Sequence, residues 1–260
     1  MGIAKTSRTE LKKHLIGLGL LKGDNVVVHC RLLSFGFIEG GPATVIDLLL
    51  DIIGSNGTLA VPAYTLYLTQ SDVYDPLTTP SGAVGPLAEE LRKTHQTYRT
   101  LCPLHNHVIC GPLREHFCKL PGTDSLGEQS DFALMESLDF KLVLLGCSYA
   151  EGATFLHHLE TVCQVPYREK IILQRQIRTD AGTHPIDVKY YALKSSGSTA
   201  ETWGENFDVL KTYSPLVEII KTQPCPYGTS YCGGLKEIKA TITSLLSHSP
   251  YALVKATENG

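Results

Sequence analysis

Apolar residues in this chain follow two rhythms, one of period near four and one of short continuous runs, and these predict its elements. Leu11, Leu15 and Leu18 recur at helical spacing. Thr6 or Ser7 can start that helix, with Glu10 placed to close a capping box on Ser7, and Gly19 and Gly23 stop it. Residues 25–29 hold three consecutive valines, the pattern of a strand buried on both faces. A glycine-bearing loop over 30–41 follows. Pro42 then falls where a first helical turn tolerates proline, and 43–53 continue as a helix to Gly54. Residues 57–63 read as a second strand, so the segment forms a βαβ unit.

Residues 64–82 lose all periodicity and are rich in Tyr, Thr, Ser, Asp and Pro, which predicts a long loop of the kind that often carries function. A short helix is expected over 84–93 and a strand over 107–110, with a helix after Gly111-Pro112. Residues 141–145 give a further apolar strand ending at Gly146, and 153–162 have helical character. The runs 171–177 and 184–191 flank a turn at 180–183 and predict a hairpin. Beyond Ser195 the pattern is helical and mixed, closing with a helix over 235–246. No internal repeat or linker interrupts the chain. The fold expected is α/β, a single domain over 1–260 with a central mixed sheet flanked by helices and an antiparallel addition.

Composition narrows the function classes. The chain has 260 residues, and its 23 basic against 26 acidic side chains leave a formal charge of −3. That near-neutral balance argues against a nucleic-acid partner, which favours a clustered basic face. No run approaches the roughly 20 apolar residues of a bilayer span, so no membrane association is expected. Residues 1–10 are polar and mixed in charge, without the character of a secretory signal. The eight cysteines show no CxxC pairing, which predicts reduced thiols in a cytoplasmic protein, most of them small core residues.

Three segments gather reactive groups at predicted strand ends, where open α/β sheets place ligand crevices. In the first, Arg31 and the glycines before the helix at Pro42 suit an anion, since a helix start offers free N–H groups. This segment matches neither a Walker loop nor a GxGxxG fingerprint. In the second, an extended His105-Asn-His107 puts the two imidazoles on one side and Asn106 opposite. In the third, His157 and Glu160 share a helix face at i, i+3, where a carboxylate can fix the imidazole tautomer and leave the other nitrogen as a base. His158 points about 100° away and is expected to pack.

Taken in order, these segments resemble the aminoglycoside 3-N-acetyltransferase family, acyl-CoA-dependent enzymes distinct from both GNAT proteins and left-handed β-helix acyltransferases. The resemblance is carried by His29-Cys-Arg-Leu, Gly36, Gly40-Gly-Pro-Ala-Thr-Val, Gly57-Thr-Leu-Ala-Val-Pro, Asp75-Pro-Leu-Thr, Arg99-Thr-Leu-Cys-Pro, Leu142-Val-Leu-Leu-Gly and Leu156-His-His-Leu-Glu. It runs from about residue 7 to 170, with a weaker echo over 228–235. It implies an acyl-CoA co-substrate, without a metal, held by Arg31, Leu32, Ser34, Gly40, Gly41 and Thr44. It also implies His157 as general base, oriented by Glu160, with His105 and His107 as the alternative base pair. On the acceptor side the candidates are Asp75, Asn106 and the loop residues Tyr64, Tyr67 and Tyr74, which either stack on a base or sugar or simply pack. Two positions depart from the family pattern: Arg31 stands where Ser is usual, and Cys102 where His is usual.

The partner implied is a small-molecule amino sugar, and a homodimer is consistent with the family. A polycationic aminoglycoside favours a strongly acidic cleft, whereas a nucleotide-linked amino sugar carries a diphosphate. The mild charge of −3 inclines the reading to a dTDP-linked 3-amino-dideoxyhexose for surface polysaccharide, with antibiotic acetylation as the alternative. A covalent route through Cys102 stays open, as does a reading of another class, a zinc hydrolase built on Cys102, His105, His107 and Cys110. A non-enzymatic ligand-binding domain has no feature in its favour.

Overall fold

The structure is a computed structural model and describes residues 2–82, 84–194 and 202–257. Its principal strands are β1 (Asn25–Cys30), β2 (Thr58–Pro62), β3 (Tyr98–Arg99), β4 (His107–Cys110), β5 (Phe140–Leu145), β6 (Arg168–Thr179), β7 (Gly182–Leu193), β8 (Thr202–Glu205), β9 (Lys221–Cys225), β10 (Gly228–Gly234) and β11 (Val254–Thr257). The helices used below are α1 (Arg8–Gly17), α2 (Gly41–Ile53), α3 (Pro86–Thr94), α4 (Asp131–Ser137), α5 (Phe155–Val162) and α6 (Leu235–His248). The expected Ser7–Glu10 capping box starts α1, and proline lies in the first turn of α2.

A seven-stranded mixed sheet runs in the order β9-β10-β5-β1-β2-β4-β3. Parallel β2, β1 and β5 form its centre, and antiparallel strands complete both sides. Alternation along the central strands divides the core into two layers. Val26, Val28, Leu59, Val61, Val143 and Leu145 pack toward α1, α2 and α3. Val27, Ala60, Leu142 and Leu144 pack toward α4, α5 and α6. Covering both faces explains why the strands read as unbroken apolar runs.

The hairpin is longer than the periodicity indicated: β6 and β7 each have 12 residues and pair from Arg168↔Leu193 to Thr179↔Gly182. The C-terminal region differs from expectation. Part of the mixed stretch, 195–201, lies outside the described residues. Past it, β9 and β10 extend the main sheet along β5, and β8 pairs with β11. Pro224 and three glycines weaken the local strand signal there. Proline is tolerated because β9 is an edge strand, and the long-range partner β5 supplies what propensity does not.

Candidate active site

The parallel strands end together at His29-Cys30, Pro62 and Leu145, and antiparallel β4 begins beside them at His107, paired with Pro62. Gly146, at φ 71, turns the chain out of β5, and a Cβ there would lie 2.7 Å from the Ser34 Cβ. The short helix Tyr149–Gly152, whose Gly152 packs closely against His29 at the end of β1, leads to α5.

On α5 the His157 Nδ1 donates to Glu160 Oε2 at 2.7 Å. The proton is assigned to Nδ1 because an ionised carboxylate only accepts, although Arg168 Nη2, a donor, also lies 3.0 Å from this nitrogen. Glu160 is completely buried; its Oε1 accepts from the Tyr167 hydroxyl at 2.8 Å, and Arg168 Nε lies 2.8 Å from Oε2. The imidazole's other nitrogen, Nε2, lies 3.3 Å from the carboxylate of Glu205 on β8. Burial opposes a charge on His157, but hydrogen bonds to Glu160 and Glu205 and the Glu160 charge outweigh it, so its pKa stands above the usual imidazole value. The hydrogen bond to His157 is in turn the main cause that holds the Glu205 carboxyl below its ordinary range. His158 packs, as expected, donating to the Leu126 carbonyl at 2.7 Å with its ring near Phe132 and Phe155.

His105 and His107 both lie against the Tyr64 ring, with centroids 4.8 and 5.4 Å away, and Asn106 turns to the other side. His107 Nδ1 is taken by Asp131 at 2.8 Å, and His105 Nδ1 by Ser125 Oγ at 2.6 Å. Burial first, then the neighbouring His157, His107 and His29, press His105 down to about 3, so this imidazole is neutral and a weak base. His29, buried beside them, is likewise lowered to about 3 by burial and by His107. Among the described residues no three His, Cys, Asp or Glu side chains are arranged to hold a metal, so the zinc-hydrolase reading loses its ligand set. Cys102 is buried with Leu104 and Val188, and burial followed by the Asp131 charge pushes its thiol up to about 12. A thiol buried and held protonated is a poor nucleophile, so this setting does not favour a covalent route.

The acceptor-side expectations divide. Tyr64 is buried at the centre of the histidine cluster, while Tyr67 is exposed and donates to the Pro80 carbonyl at 2.6 Å. Tyr74 and Asn106 are both enclosed by protein groups. Tyr74 is fully buried, donates to the Thr100 carbonyl and lies under the Arg99 guanidinium. Asn106 is fully buried between Arg99, Thr65 and the Cys102 carbonyl. Asp75 closes its own turn through the Leu77 N–H at 2.8 Å, with Arg178 at 3.8 Å. On the opposite side of the strand ends, Arg31 pairs with Glu151 at 2.8 Å, Leu32 begins a 3-10 turn, and Ser34 is buried with its hydroxyl on the Gly146 carbonyl. Gly40 and Gly41 have φ of 75 and 60, and Thr44 Oγ1 fills the space a Gly40 side chain would need.

Sequence reasoning missed Arg168, Tyr167, Asp131 and Glu205. Pro166-Tyr-Arg at the entry to β6 was the one local sign of the first two, because an arginine and an aromatic after proline at a strand start invite a search for a buried carboxylate. Glu205 and Asp131 reach the histidines only through the fold.

The chain is thus an α/β protein with a mixed sheet and an imidazole held by a buried carboxylate. The family model described as aminoglycoside 3-N-acetyltransferase matches residues 27–217, and the chain belongs to that family of acyl-CoA-dependent N-acyltransferases. It is 29% identical to aminoglycoside N(3)-acetyltransferase VII of Streptomyces paromomycinus, over 75% of this chain and 77% of that protein. Among solved structures, it superposes on aminoglycoside acetyltransferase AAC(3)-Xa with TM-score 0.80 at 23% identity, over 96% of this chain and 94% of the other. It superposes on AAC-IIIb in its binary complex with CoASH with TM-score 0.78 at 24% identity, over 94% and 97% of the two chains.

Proposed function

We propose that this protein moves an acetyl group from acetyl-CoA to the amine of an amino sugar of the aminoglycoside class, by direct attack with His157 as base. The observation that carries this reading is the His157–Glu160 pair: Nδ1 faces a buried carboxylate, so Nε2, which faces Glu205 in the free protein, is the nitrogen that exchanges a proton with the acceptor. An amine attacks a thioester only as the free base, and removing its proton by a positioned imidazole contributes about 10²–10⁴ in rate. The co-substrate would be held by the loop from Arg31 to Thr44, where positive-φ glycines and the start of a 13-residue helix suit phosphate oxygens. Membership of the family, and the names of the relatives, favour the antibiotic acceptor over the nucleotide-linked sugar that the mild net charge and the departures on the acceptor side suggested.

A second reading keeps the nucleotide-linked acceptor, and one observation favours it. Between the hairpin, the 124–129 loop and the end of α5 lies a cavity of about 750 Å³, lined by Arg168, Lys170, Lys189, Lys194, Tyr190 and Tyr191 among others. Lys170 and Lys189 have no ion-pair partner among the described residues, and Asp124, one of two acids in the lining, is engaged by the N–H groups of Gly127 and Gln129. A polycation is repelled by such a wall and a phosphate is attracted. The test is thiol release from acetyl-CoA against a panel of aminoglycosides and a panel of nucleotide-linked amino sugars. Turnover confined to the first supports the main reading, turnover confined to the second supports the other, and none with either overturns both.

A further inference from the structure

His157 is bridged by carboxylates at both ring nitrogens, and the two contacts differ in kind. Glu160 is one helical turn away on the same helix, completely buried and itself held by Tyr167 and Arg168. Glu205 comes from a different element, is more than a third exposed, and lies at Nε2, the nitrogen an acceptor amine must reach. Arg168 Nη2 is 3.5 Å from the same Glu205 oxygen, so the carboxylate caps a cationic pair at the site entrance.

We propose that Glu205 is the acceptor's ammonium anchor, and that it exchanges its contact with His157 Nε2 for the incoming amine. The inference rests on the acyl-transfer reading above. While Glu205 bridges Nε2, the nitrogen must carry a proton to make the contact, and an imidazolium cannot take another. When an ammonium enters, its N–H groups offer Glu205 a full positive charge, and the carboxylate turns from the ring to the substrate. His157, released from one of two anions that favour its charged form, gives its Nε2 proton to water and becomes a base.

The protons then balance. An acceptor R–NH₃⁺ gives one proton to His157 Nε2. The free amine forms the C–N bond as the thioester C–S bond breaks. A second amine proton ends on the CoA sulfur and the third remains on the amide, so the step releases one proton overall. Glu205 changes no bond; it touches the substrate and sets where the amine sits.

The other groups facing His157 do not substitute for Glu205. Arg168 on β6 repels an ammonium, His105 before β4 is neutral, and Glu160 is fully engaged. The Tyr190 hydroxyl on β7, its own ionisation pushed up by burial, carries no charge to offer.

The test uses Glu205→Gln and Glu205→Asp in the full chain, with gentamicin and a nucleotide-linked amino sugar as acceptor probes. For Glu205→Gln the acceptor KM is expected to rise about ten- to a hundredfold, the scale of one hydrogen bond to a charged group. CoASH affinity is expected to stay unchanged, and Glu205→Asp to fall between wild type and Gln. In the free protein, the His157 resonance followed by NMR is expected to titrate at lower pH in Glu205→Gln, and the acid limb of kcat/KM to move the same way. A Glu205→Gln protein whose His157 titration and acceptor KM both match wild type overturns the proposal. If wild type turns over neither probe, the acyl-transfer reading fails instead, and an unshifted His157 titration still refutes the contact.

Discussion

Replacing Glu160 by Gln separates the charge of the dyad from its shape. In the native site Oε2 faces both the His157 Nδ1–H and Arg168 Nε, while Oε1 takes the Tyr167 hydroxyl. A Gln amide can be accommodated in one orientation, with its oxygen toward His157 and its NH₂ toward Tyr167, whose hydroxyl then accepts. The tautomer survives; the negative charge does not. Arg168, itself buried, is left with Glu205 as its remaining anion, 3.5 Å away. Breaking a buried pair from one side costs about 3–5 kcal/mol. For a chain of this size that corresponds to a Tm lower by roughly 6–15 °C. The base also loses its strongest charged partner, and kcat is expected to fall by about 10²–10⁴. The assay is a double-mutant cycle with Arg168→Met, melting curves and thiol release being recorded for all four proteins. Removing the second charge is expected to recover most of the Tm and none of the rate. A Glu160→Gln protein that melts within about 2 °C of wild type, or a double variant no more stable than the single, refutes the burial argument.

Three further outcomes follow from the same geometry. The raised pKa of His157 means that its base form accumulates only above the ordinary imidazole value of 6.5, so kcat/KM should climb with pH through a midpoint above 6.5; a midpoint below it contradicts the two-carboxylate bridge. For His29 and His105 the sign is reversed: both are neutral in the fold down to about pH 3, whereas the unfolded chain takes up protons below about 6.5. Stability should therefore decline as pH falls from about 6.5 toward 3, by up to ~1.4 kcal/mol per pH unit for each group, and His105→Gln should flatten the slope of Tm against pH; an unchanged slope argues that His105 is charged. Finally, Cys102→Ala should keep turnover within about threefold, with no acylated protein in the mass spectrum, because a buried protonated thiol takes no part in the chemistry; a loss of a hundredfold or more would restore the covalent route.

What the sequence revealed and what it hid divide along the distance over which each signal acts. The α1 cap, the valines of β1 and the proline-led α2 depend on neighbours within a few residues, and each was legible. The His157–Glu160 pair was legible for the same reason, since three residues on a helix bring the groups together without help. Arg168 reaches that pair because an antiparallel hairpin begins beside α5, and Glu205 because β8 pairs with β11, a strand about 50 residues further along the chain. Neither approach leaves a periodic trace. Tyr74 shows a second limit: the sequence leaves open whether a tyrosine in a polar loop stacks on a ligand or packs, and only the fold brings it to Arg99 and the Thr100 carbonyl.

Base and orienting carboxylate ride on one rigid body, α5, while the carboxylate at the second nitrogen comes from a separate strand. The two carboxylates therefore act on one imidazole from places far apart in the sequence, and on the proposed reading a substitution at Glu205 changes at once which amine is admitted and how readily His157 takes a proton.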